Sequence, residues 1–132
     1  MTEYELKSRT KRFALLVMKL VEELPKTTVG KAIGSQLVRS GTSVGANYRS
    51  ACRARSKAEF ISKLGIVLEE ADESGFWLEL IVEGSLLKTD RVTSLVTDSN
   101  ELTTIFTNSI IKDVNLGPIV RKFCLIYFTQ TI

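Results

Sequence analysis

Between Phe60 and Ser85 the chain sets Phe60, Leu64, Val67, Ala71, Ser74, Leu78, Ile81 and Ser85 at intervals that alternate strictly between four and three. An α-helix returns such a series to one side, and a seam this long belongs to a bundle of helices rather than to a compact mixed fold. Immediately before it, Ser56, Lys57, Ala58 and Glu59 spell S-x-x-E, in which the serine accepts from the backbone of Glu59 and the glutamate reaches back. The spacing predicts a helix over about 57–87.

Three more helices follow from the same reasoning. Leu6, Phe13, Leu16, Val17, Leu20, Val21 and Leu24 repeat with helical period over about 5–24, and Pro25 stops them. After Thr27 or Thr28 as cap, a second helix covers about 29–53, with poor helix formers at Ser40, Gly41, Thr42 and Ser43 where a break is allowed. A fourth, about 90–113, carries Val92, Leu95, Val96, Leu102, Ile105, Phe106 and Ile110 on one face, and Asn115, Gly117 and Pro118 end it. The short connections make neighbours antiparallel. The expected fold is all-α, an antiparallel up-down-up-down four-helix bundle over 1–118 with a short non-helical C-terminal tail, 119–132. That tail is apolar and lacks helical period; it either lies on the bundle or is disordered, or else forms an edge strand or a contact with another subunit.

The chain of 132 residues has no histidine, which removes Ser/His/Asp triads, Cys/His pairs and His-based metal sites. Glu69, Glu70, Asp72, Glu73, Glu79 and Glu83 crowd one helix, but a carboxylate-bridged di-metal site in a bundle draws on Glu-x-x-His pairs, and none exists. No enzymatic activity, cofactor, metal or small-molecule substrate is expected. Cys52 and Cys124 are far apart, the opening MTEYELKSRTK lacks the apolar core of a signal peptide, and no apolar run approaches membrane-spanning length. A cytoplasmic protein without membrane contact is the expectation.

Charge is distributed unevenly. Residues 1–65 hold 13 Lys/Arg against 5 Asp/Glu, whereas residues 66–113 hold 3 against 10. Basic helices therefore face acidic ones, within or between subunits, or the basic half meets a polyanion. At about 100° per residue, Val29, Ile33, Leu37, Val44, Tyr48 and Ala51 share the core arc of the second helix. Lys31, Arg39, Arg49 and Arg53 fall on the opposite side, a stripe about 33 Å long. The stripe reads as a solvated face, a phosphate-binding surface or an intersubunit ion-pair surface; Arg55 and Lys57 extend it.

Two further patterns concern packing. Gly30, Gly34, Gly41 and Gly45 occupy a third arc, where a helix backbone can approach a neighbour closely, and Gln36 and Asn47 lie at the edge of the core arc as candidate register-fixing polar residues. Opposite the seam of the third helix, Ile66, Phe76, Trp77, Leu80 and Leu87 make a second apolar side. One bundle buries one stripe, so these five are candidates for an oligomer interface, with a wide core contact inside one monomer as the alternative.

The stretch from Ile33 to Leu80 resembles the four-helix-bundle proteins encoded by intervening sequences of bacterial 23S ribosomal RNA genes. The residues that carry the resemblance are Gln36, Leu37, Arg39, Ser40, Ser43, Val44 and Asn47, then Arg55, Ser56, Glu59 and Phe60. The resemblance implies an antiparallel bundle, assembly into ring-like homopentamers and no established catalytic activity. A related group, the accessory proteins of diversity-generating retroelements, is similar in fold, forms a basic barrel and partners nucleic acid and a reverse transcriptase. Many family members follow the asparagine with I-A-E-G, where this chain has Tyr48, Arg49, Ser50 and Ala51. The expected function is a non-enzymatic, oligomer-forming bundle associated with ribosomal or other structured RNA through Lys31, Arg39, Arg49, Arg53, Arg55 and Lys57. The alternative is a protein-interaction scaffold whose basic and acidic helices pair between subunits.

Overall fold

The computed structural model describes residues 1–114, and the expectation for the tail, 119–132, lies outside the described residues. Four helices follow in order: α1 (Glu3–Glu22), α2 (Thr28–Ala51), α3 (Lys57–Glu83) and α4 (Thr89–Val114). They form an antiparallel up-down-up-down bundle in which each helix packs on its successor. α1 meets α4 over a much smaller contact, and ion pairs of Arg9 with Glu101 and of Arg91 with Glu23 bridge them.

Local chemistry sets the helix ends. Thr2 and Glu5 make a reciprocal capping box on α1, and Thr27 accepts from the Gly30 N–H at 3.1 Å to open α2. Ser56 accepts from the Glu59 N–H at 3.1 Å, but the Glu59 carboxylate reaches past the cap to the Arg55 N–H, at 2.8 Å. α3 stops at Glu83, short of the 87 that its periodicity predicts. Ser85 adopts φ 55°, its N–H donates to the Val82 carbonyl, and the Leu86 N–H donates to that of Ile81. This is a Schellman ending, with serine in the left-handed position that usually falls to glycine or asparagine. Ser85 and Leu87 therefore lie outside the helix on which the spacing placed them.

The core runs through the bundle: Phe13, Val17, Leu37, Val44, Leu64, Val67, Leu78 and Phe106 are all buried. Each such side chain stabilises the fold by about 1.5–3 kcal/mol relative to exposure. Three expected core positions are at the surface: Val29, in the first turn of α2, is 54% exposed, and Leu16 and Ser85 are also exposed. No helix among the described residues is long and apolar enough to cross a membrane.

α2 is unbroken across Ser40–Ser43. The hydroxyls of Thr42 and Ser43 donate to the carbonyls of Val38 and Arg39 at 2.7 and 2.6 Å, so their polar groups are satisfied inside the helix. The small residues are needed for packing. A Cβ on Gly41 would lie 2.8 Å from Val17 Cγ1, and one on Gly45 3.4 Å from the Thr10 side-chain oxygen. Gly34 likewise faces Val21 and Leu24, so most of the glycine arc lies against α1.

Candidate functional site

Because α1 packs closely over the glycines of α2, basic side chains on the outer flanks of the two helices converge. Lys7 and Lys11, one turn apart on α1, line the same groove as Arg49, in the last turn of α2, and Arg53, just beyond its cap. The Arg53 N–H donates to the Ser50 carbonyl at 3.1 Å, so the backbone continues the turn that brings Arg53 to the groove. Small residues, among them Thr10, Ala14, Gly45 and Ala46, line it too, and Tyr4 stands at one end. The groove has a volume of about 450 Å³ and is open to solvent.

Electrostatics separate these cations. Lys7 lies 2.9 Å from Glu3, whose carboxyl is held below the usual range chiefly by that contact. Among the described residues no carboxylate lies within 4.0 Å of Lys11, Arg49 or Arg53. Glu3 thus offsets the positive potential at the Lys7 end of the groove, while Lys11, Arg49 and Arg53 keep theirs. Beside it, the Cys52 thiol is half-buried, and burial pushes it above its ordinary value.

The residues of the stripe predicted on α2 lie in different surroundings. Arg39 is bound across the α2–α3 interface, 2.6 Å from Glu73 and 3.3 Å from Glu70. Its guanidinium holds the Glu73 carboxyl below the ordinary carboxylate range, and Trp77 Nε1 donates to the same carboxylate at 3.3 Å. Lys31 lies at the other end of α2, in a separate depression with Glu22, Leu24 and Pro25, about 27 Å of helix from Arg49. Arg55 and Lys57 are exposed at the α2–α3 connection. The structure thus brings Arg49 and Arg53 together with two lysines that the count along α2 alone missed. The i,i+4 spacing of Lys7 and Lys11 was visible in the sequence, but the rotation of α1 against α2 was not.

The polar candidates also resolve differently. Gln36 is exposed and fixes no register from a buried position. Asn47 is half-buried and donates to the Ser43 carbonyl of its own helix at 2.8 Å. A buried polar contact between helices is instead made by Ser40 with Ser74, at 3.0 Å.

On the second side of α3, Ile66 is 43% and Phe76 52% exposed, and Phe76 meets Trp77 edge-on with ring centroids 5.1 Å apart. Trp77 and Leu87 are partly buried against the core, and Leu80 is partly buried. The outward apolar surface is therefore narrower than the five residues expected, because two of them serve the monomer. Among the described residues no group of three or more His, Cys, Asp or Glu is placed to hold a metal ion.

The sequence profile of the 23S rRNA-intervening sequence protein family matches residues 2–108. A solved structure of a protein of unknown function from the S23 ribosomal protein family of Bacteroides thetaiotaomicron is similar in fold. It superposes with a TM-score of 0.75 at 35% sequence identity, over 80% of this chain and 97% of that one. No curated protein matches the chain. With its sequence match and its bundle in agreement, the chain belongs to the 23S rRNA-intervening sequence protein family.

Proposed function

We propose that this protein is a non-catalytic subunit of a homo-oligomer that binds RNA through the groove between α1 and α2. The observation that carries the reading is the convergence of Lys7, Lys11, Arg49 and Arg53 on one groove, three of them with no carboxylate in pairing distance among the described residues. Phosphates supply the matching charge, and arginine binds them through several donors at once. Arg55 and Lys57 extend the positive surface beyond Arg53. Ile66 and Phe76 support self-association on a separate side of the bundle.

The competing reading, in which basic and acidic helices pair between subunits, is weakened at Arg39. That side chain meets Glu70 and Glu73 of its own chain, so these acids already have a cation within the monomer.

Titrating a labelled, structured ribosomal RNA fragment at several salt concentrations tests the proposal. Binding that releases counterions falls linearly on a log-log plot, with a slope of roughly −0.7 to −0.9 per neutralised phosphate. Arg49→Ala with Arg53→Ala flattens that slope by about one to two units, whereas Arg39→Ala leaves it nearly unchanged. No affinity at low salt, or an unchanged slope in the double variant, refutes the proposal.

A further inference from the structure

We infer that the groove takes an unpaired RNA strand rather than a duplex, with the Tyr4 ring as the platform on which one base stacks; this rests on the RNA reading above. Tyr4 is 79% exposed, a large aromatic ring on the first turn of α1 that contributes little to the core. It lines the α1–α2 groove next to Lys7 and also borders the groove between α1 and α4. It thus stands on the crest of α1 beside the cations.

Shape points to a single strand. Two walls carry the charge, Lys7 and Lys11 on one and Arg49 and Arg53 on the other, each pair separated by one turn, about 6 Å along the helix. Between them the small side chains of Thr10, Ala14 and Ala46 and the bare backbone of Gly45 leave a trough. At about 450 Å³ the trough has the size of clefts that enclose small molecules. An A-form duplex is a wide body that presents its phosphates on ridges, and proteins meet it across a shallow minor groove with projecting elements. A basic trough flanked by an exposed aromatic ring is the arrangement that tracks one backbone and stacks its bases.

The test uses the whole chain and two fluorescently labelled probes of equal length, an oligouridylate and an RNA duplex, titrated by anisotropy at low and moderate salt. The unpaired probe binds at least about tenfold more tightly than the duplex. Tyr4→Leu weakens its binding by about tenfold, within the range of losing one base–aromatic stack, without changing the salt slope, and Tyr4→Phe retains affinity. Circular dichroism of the variants confirms the fold, which an exposed ring does not support. Equal or tighter duplex binding, or full affinity in Tyr4→Leu, overturns the inference. In either case salt-sensitive binding still upholds the wider RNA reading. Absence of binding to both probes and to the ribosomal fragment overturns that reading and the inference with it.

Discussion

Ser40 and Ser74 hydrogen-bond to each other at 3.0 Å across the α2–α3 interface, both fully buried. The Ser74 hydroxyl also lies 2.8 Å from the Glu70 carbonyl and that of Ser40 3.3 Å from the Leu37 carbonyl, so each can turn its single proton to its partner or to its own helix. Removing one hydroxyl leaves its partner with a poorer set of contacts in a dry site. Ser40→Ala and Ser74→Ala should each destabilise by about 1 kcal/mol. The double variant should lose less than the sum, because the second deletion removes a group already left short of a partner. Urea unfolding of the four proteins measures the coupling.

Two glycines should respond to alanine with opposite signs. On α2, the new methyl at Gly41 would enter the space of Val17, whose side chain is fully buried and branched at Cβ. The helix or the valine must shift, at a cost of about 1–3 kcal/mol that outweighs the gain in helix propensity of about 1. A Cβ at Gly65, within α3, meets nothing within 4 Å. Gly65→Ala should therefore stabilise by up to about 1 kcal/mol. Thermal melts should move down for the first variant and up for the second.

The Arg39–Glu73 contact makes stability depend on acid. Glu73 titrates below its ordinary value because Arg39 stabilises its ionised form. Its contribution is fully present above the unfolded-state value, near pH 4.3 for a typical glutamate, and disappears as pH falls through the lower folded value. Glu73→Gln should be somewhat less stable than the parent at neutral pH, with the difference shrinking below about pH 4. Denaturant midpoints between about pH 3 and 7 check it; curves that stay parallel throughout would show that Glu73 is not the titrating group.

Much of the bundle is legible along the chain because the decisive information is local. Pro25, the Ser56 cap and the alternation from Phe60 to Ile81 each act within a few turns, and they set the number, order and approximate limits of the helices. The end of α3 was harder to read: the periodicity continues through Ser85, and the left-handed backbone there appears without the glycine that usually marks it. The candidate site was only half legible. Angular counting places Arg49 and Arg53 on one side of α2, but the partners on α1 depend on how two helices rotate against each other. That rotation is decided by which neighbour fits over Gly41 and Gly45. Arg39, on the same stripe, is diverted by acids 31 and 34 residues away, a tertiary effect that no count along one helix contains.

The exposed pair Ile66 and Phe76 gives the proposal of self-association its sharpest test. The two lie ten residues apart on α3, about 15 Å along the helix, outside the core of the monomer. Changing both to lysine places charges where an interface would have to bury them, yet removes little from the fold of a single chain. Multi-angle light scattering should show an oligomer for the parent and monomers for Ile66→Lys/Phe76→Lys, with the melting temperature of the separated chains falling only to the extent that assembly had raised it. Trp77→Ala should behave differently. Its ring packs partly against the core and donates to Glu73, so its loss should lower the stability of the monomer itself. A parent that is monomeric at micromolar concentration would remove this surface as an interface and leave the α1–α2 groove to be judged on a single chain.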